Sequence, residues 1–240
     1  MAEQNRIQLS VPSSASGDQA STSTAAKPTQ NNDADTSEEN QSSQWDLCKR
    51  QGEFFETMNA MRHLGQLCDT SLVVEGERIP VHRLVLSACS AYFRAMFTSN
   101  MAEANSKEVP LHEVNVSTVK AIVDFAYTAQ INLDDDNVQE LLSAANRYQI
   151  EPIKEECSRY LMSQLSADNC LGIRDFANYH NCCELLATAV SFIDAHFGEV
   201  YETEEFLTLE PDAVKALLKR DALTVSSEDE VRSKLDQLRE

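Results

Sequence analysis

The chain has 240 residues, 42% of them apolar, and carries 39 acidic against 20 basic side chains, a formal net charge of −19. That length suffices for one or two domains with an apolar core, while so acidic a surface repels a phosphate backbone and argues against direct nucleic-acid binding. No run of about 18 apolar residues occurs, so no membrane-spanning helix is expected.

Residues 1–44 contain no aromatic side chain and are rich in Ser, Thr, Asn, Gln, Asp and Ala. Such a stretch buries too little apolar surface to offset the entropy of ordering it, so 1–47 is predicted to be a disordered polar tail. It also lacks the apolar core of a secretion signal. The seven cysteines, Cys48, Cys68, Cys89, Cys157, Cys170, Cys182 and Cys183, contain no CxxC pair. Without a secretion signal they read as reduced thiols of a cytoplasmic protein, with the nucleus as the alternative compartment.

Order is expected from about Trp45. Phe54, Met58, Met61 and Leu64 recur at helical spacing, and Phe55 widens the stripe, which predicts a helix over 53–67 ending near Gly65. In "CDTSLVVEGERIPVHRLVL" two β-rich runs flank Glu75-Gly76, a hairpin signal, and Pro80 marks the second strand as an edge. Leu84 to Phe97 reads as helical with one break near Ser90, and "KEVPLHEV" as a short strand. Ser117 is the expected cap of a helix carrying Val119, Ile122, Val123 and Ala126, and "INL" at 131–133 reads as a further short strand. The run Asp134 to Asp136 opens a helix through Val138, Leu141, Leu142, Ala145 and Tyr148. A further helix follows Pro152, and from Asn169 onward the pattern is helical throughout, at about 170–179, 182–197, 203–208 and 211–219. The pattern divides the chain into the tail, an α+β domain over 48–164 and an all-helical region over 165–240, with no internal repeat.

These segments resemble the BTB (POZ) domain and the following BACK domain of the kelch-like family. "LCDTSLVVEGERIPVHRLVLSACSAYFRAMFTSNMAE" looks like the first half of such a BTB domain, and "IVDFAYTAQINL" with "NVQELLSAANRYQI" looks like the second. "CSRYLMSQLSADNCLGIRDFANYHNCCELLATAVSFIDAHFGEV" resembles the start of a BACK domain, and "EEFLTL" and "DALTVSSEDEV" its later segments. The resemblance implies an α+β BTB domain, a small sheet flanked by helices, followed by an all-α BACK domain. After "SSEDEV" the chain departs from the pattern and reads "RSKLDQLRE", so a truncated BACK domain without kelch repeats is expected.

The resemblance also implies partners: a second copy of the chain, a cullin-3 ubiquitin-ligase scaffold and an unknown substrate protein. It places cullin contacts at Met101 and Glu103, at Tyr127, and at Leu171, Ile173 and Phe176 in the first helical pair of the BACK region. Methionine adapts to irregular apolar pockets, and a nearby carboxylate accepts charge-assisted hydrogen bonds that fix register. The implied dimer interface comprises Phe54, Phe55, Met58, Met61 and Leu64, with Asp69 and Arg83 forming a charged pocket. On the residues alone, Met101 reads as a loop methionine folded onto a core, Tyr127 as a buried phenol with a satisfied hydroxyl, Asp69 as a turn cap and the BACK residues as helix-pair packing.

The remaining motifs favour structure over chemistry. His180, Cys182 and Cys183 lack the ligand spacing of a zinc site. Asp134 to Asp136 lacks the twelve-residue calcium loop. No phosphate-cradling glycine loop, nucleophile elbow or HExxH is present. The expected function is that of a non-enzymatic, cofactor-free adaptor of a ubiquitin ligase. The alternative is a BTB scaffold that only oligomerises, or an inhibitory short form that delivers no substrate.

Overall fold

The computed structural model describes residues 49–50, 52–99 and 106–220. The predicted tail over 1–47, Met101, Glu103 and the segment after Arg220 lie outside the described residues.

The first helix, α1, covers residues 52–63. It closes in a Schellman arrangement: Gln66 N–H donates to the Met61 carbonyl and Gly65 N–H to the Arg62 carbonyl, both at 2.9 Å. Gly65 takes φ 66°, the left-handed conformation that this cap requires.

Strands β1 (Thr70–Val74) and β2 (Glu77–Val81) pair antiparallel, with Leu72 opposite Ile79 and Ser71 opposite Pro80. Glu75 (φ 49°) and Gly76 (φ 87°) are the central residues of their turn. Positive φ at both is what a two-residue hairpin needs to match strand twist, and Gly76 provides one of them without strain. Strand β3 (Glu108–Pro110) joins β1 in parallel, giving the order β2-β1-β3. Pro80 therefore sits on an edge strand, as its missing N–H demands. Leu72, Val74, Ile79, Val81 and Val109 point to one face and are buried.

Helices α2 (Arg83–Cys89) and α3 (Ala91–Thr98) meet at Ser90, whose extended backbone makes the predicted break. Its side chain accepts from Phe93 N–H at 3.1 Å and donates to the Tyr148 carbonyl at 2.5 Å. Helix α4 (Val116–Thr128) is capped by Asn115, whose Oδ1 accepts from Thr118 N–H at 2.7 Å. The expected cap, Ser117, lies inside the helix and donates to Asn115 Oδ1 at 2.8 Å, reinforcing the true cap. Residues 131–133, expected as a strand, are not in one. Helix α5 (Val138–Arg147) buries Val138, Leu141, Leu142 and Ala145, one stripe at helical spacing. Helix α6 (Glu151–Ser163) carries Pro152 in its first turn, where a missing N–H is harmless.

The rest is helical: α7 (Cys170–Tyr179), α8 (Cys183–Ala195), the short α9 (Phe197–Val200) and α10 (Glu204–Leu207), and α11 (Pro211–Leu218). The main apolar core runs without interruption from the sheet and α2–α6 into α7 and α8, through Ile173, Ala177, Cys182, Leu185 and Ala189. A second cluster, built from Cys170, Leu171, Ile193, Phe197, Val200, Phe206 and Leu217, lies under the later helices. Helix α7 is thus buried on two faces. Among the described residues no helix is long and apolar enough to cross a membrane.

Candidate interaction surfaces

Helix α1 and the residues that follow it present large apolar side chains to solvent. Phe54 is 61% exposed, Leu64 72% and Leu67 79%; Phe55 is 45% exposed, and Leu84 at the start of α2 is 81% exposed. Met58 and Met61 are half-buried, and Met58 packs against the main core. The structure therefore places the five predicted apolar interface residues on one helix and its C-terminal turn, with the two aromatic ones exposed over about half of their surface or more. Scattered exposed leucines are ordinary, whereas several large apolar side chains exposed along one helix call for an explanation.

The same helix carries a buried guanidinium. Arg62 is 5% exposed. It donates to Asn59 Oδ1 from Nε (3.0 Å) and Nη2 (2.9 Å), pairs with Asp124 at 2.5 Å, and lies 4.9 Å from the centre of the Tyr127 ring. The Tyr127 hydroxyl accepts from His82 backbone N–H at 2.8 Å and sits 2.7 Å from His82 Nδ1. His82 Nε2 is 2.9 Å from the Gln66 carbonyl, which can only accept. That contact assigns the proton to Nε2, so Nδ1 accepts the Tyr127 O–H. Arg62 lies four residues after Met58, inside the apolar stripe of its helix. A charge in that position was the sequence signal for this network, and only the structure identifies its partners.

Tyr127 is fully buried, contrary to the expectation of a partner-facing residue. Burial pushes its phenol up to about 12, against a smaller lowering by the bond from His82 N–H. It cannot touch a docked protein in this conformation, and its hydroxyl is already satisfied twice. Leu171 and Ile173, placed at the partner surface by the resemblance and in helix-pair packing by the residues alone, are both buried, Leu171 in the second cluster and Ile173 in the main core. Phe176 is half-buried, its ring 4.5 Å from that of His180.

Asp69 accepts from Arg83 backbone N–H at 2.8 Å and so caps the first turn of α2. The Arg83 guanidinium donates to the Ser106 carbonyl and lies 5.6 Å from the Phe97 ring centre. These bonds tie the start of α2 to the residues that precede β3.

His180 links the two regions of the chain. It is 8% exposed, with Nε2 at 3.1 Å from Ser143 Oγ on α5 and Nδ1 without a partner. Burial, aided by Lys154, lowers its pKa. Cys157 and Cys170 are buried and pushed up to about 12, mainly by that burial, so neither is a reactive thiolate. Cys182 is buried and Cys183 exposed, and among the described residues no cluster of His, Cys, Asp and Glu could hold a metal ion. Asp134 Oδ1 accepts from the N–H groups of Asp136 and Asn137, a tight turn that starts α5. A cleft of about 250 Å³ lies among Arg174, Val190, Ile193, Ala213, Leu217 and Arg220. Both guanidiniums are already paired, Arg220 with Asp194 and Arg174 with Asp175.

Comparison with known proteins matches this layout. The BTB/POZ domain family model matches residues 58–165, and the model described as "BTB And C-terminal Kelch" matches residues 170–235. Kelch-like protein 7 of Gallus gallus is 49% identical over 178 residues, 74% of this chain and 30% of that protein. Kelch-like protein 2 of Mus musculus is 46% identical over 177 residues, and kelch-like protein 3 of Pongo abelii 44% over 180. The chain spans about a third of the length of these relatives, 30% to 31%. A solved structure, described as the BTB domain of zebrafish PATZ1, is 31% identical and covers 48% of this chain and 94% of its own, with a TM-score of 0.44.

Proposed function

This chain belongs to the kelch-like BTB/BACK family of adaptor-type interaction modules, and on that footing we propose that it forms a two-fold homodimer through α1 and docks a cullin-3 scaffold as a non-enzymatic subunit of a ubiquitin ligase. The observation that carries the dimer is the exposed apolar surface of Phe54, Phe55, Leu64 and Leu67. Full burial of a side chain of this kind contributes about 1.5–3 kcal/mol. A self-complementary two-fold contact buries each of them twice, and it is the commonest way for identical chains to pair.

Cullin docking is assigned to Met101 and Glu103, between α3 and β3 in the sequence, with Phe176, half-buried on the first BACK helix, at its margin. Tyr127, Leu171 and Ile173 support the docking surface from beneath. The substrate, a further protein, would be bound elsewhere in the assembly, and ubiquitin transfer would be the work of other subunits.

Two measurements test the reading. Sedimentation of the full chain at micromolar concentration is expected to give a dimer, and Phe54→Ala with Leu64→Ala a monomer. Pull-down with a cullin-3 N-terminal domain is expected to succeed with the wild type and fail with the Met101→Ala, Glu103→Ala double variant, which stays dimeric. A dimer that ignores the cullin domain would instead identify an oligomerisation scaffold.

A further inference from the structure

The apolar face of α1 is useful to a partner only if the helix is held at a fixed angle to its own domain. Its apolar attachment is slight, with Met58 reaching the margin of the core while Phe54, Phe55 and Leu64 face away. Its polar attachment is a closed circuit. Arg62, braced by Asn59 on its own helix, leaves α1 and meets Asp124 and Tyr127 on α4; Tyr127 meets His82 beside β2; and His82 returns to Gln66, in the turn that ends α1. The circuit grips the last turn of α1 at two points, before and after its cap.

We infer that Arg62 is a positioning residue: through Asp124 and Tyr127 it sets the angle at which α1 offers its apolar face to a second copy of the chain. The inference rests on the dimer proposed above. Arginine suits the task because its planar fork engages Asn59 and Asp124 together while its face covers the Tyr127 ring. A lysine reaches only one of these groups at a time. The buried guanidinium stays because its partners surround it, and removing either carboxylate or ring partner leaves a charge with weakened compensation.

The test compares Arg62→Met, Arg62→Lys and Asp124→Asn with the wild type in the full chain, reading two quantities. The dimer dissociation constant comes from sedimentation, and amide hydrogen exchange is followed separately in α1 and in β1 (Thr70–Val74). The expected result is a dissociation constant raised at least about tenfold by Arg62→Met, faster exchange confined to residues 52–63, and partial recovery with Arg62→Lys. Asp124→Asn supplies the milder perturbation should Arg62→Met prove poorly folded. A dissociation constant within about twofold of wild type overturns the inference, and so does equal loss of protection in β1, which marks Arg62 as a general stabiliser. A wild type that is monomeric refutes the dimer reading itself, which separates that failure from failure of the positioning role.

Discussion

Replacing Tyr127 by Phe removes a single oxygen, and the structure gives the consequence. That oxygen accepts the His82 backbone N–H at 2.8 Å and donates to His82 Nδ1 at 2.7 Å, in a site where the tyrosine has no solvent exposure. Phenylalanine fills the same space but leaves both groups on His82 without a partner. An orphaned buried polar group costs about 1–3 kcal/mol. The backbone N–H bears the full cost and the half-buried imidazole less, which gives about 2–4 kcal/mol for the pair. For a chain of this size that lowers the melting temperature by about 5–12 °C. The assay is urea denaturation followed by far-ultraviolet circular dichroism, with cullin pull-down on the folded variant. A loss under about 0.5 kcal/mol, accompanied by lost pull-down, would refute the reasoning and return Tyr127 to the surface. The phenol adds a second signature. Burial raises its folded pKa from 10.0 to about 12, so the folded state resists losing this proton. The corresponding stability is fully present below pH about 10 and is lost as pH rises toward about 12, and Tyr127→Phe removes that part of the alkaline dependence.

His180 predicts the opposite pH dependence. Its folded pKa is lowered from 6.5, so the unfolded chain takes up the proton first, and stability falls as pH drops below about 6.5. Urea midpoints at pH about 7.5 and about 5.5 should differ more for the wild type than for His180→Gln, with the acid loosening centred on the contact of α7 with α5. Ser90→Ala removes both the acceptor for Phe93 N–H and the donor to the buried Tyr148 carbonyl, and should cost about 2–3 kcal/mol in thermal or chemical unfolding without altering oligomeric state.

Much of the fold is legible because its segments are periodic. The α5 stripe, the Glu75-Gly76 turn and the edge position of Pro80 follow from local rules that tertiary packing did not override. The cap of α4 was misplaced by two residues because Asn115 and Ser117 are both competent caps; only the backbone shows that the asparagine stands outside the helix. Tyr127 carries a sharper lesson. It lies four residues after Val123 and eight after Val119 and shares their buried face, as the buried-phenol reading of the residue has it, while the family resemblance implies a place near the partner surface. For Leu171 and Ile173 the sequence shows helix packing but not the division between two cores. They sit two apart on a helix whose opposite faces serve two separate cores, so no single stripe describes them. The Arg62 circuit joins residues 62 positions apart in sequence, beyond what spacing can show.

The uninterrupted core beneath α7 and α8 has a mechanical meaning. A flexible tether between two domains lets each sample many directions, and the span between their ends is set by statistics. Here Ile173, Ala177, Leu185 and Ala189 are embedded among the same side chains that cover the sheet, so there is no tether to swivel. The heading of α7 and α8 is fixed in the frame of the sheet, like the arm of a bracket cast in one piece. If two such brackets are joined at α1, the distance between their far ends becomes a property of packing, adjustable by core substitutions and insensitive to linker length.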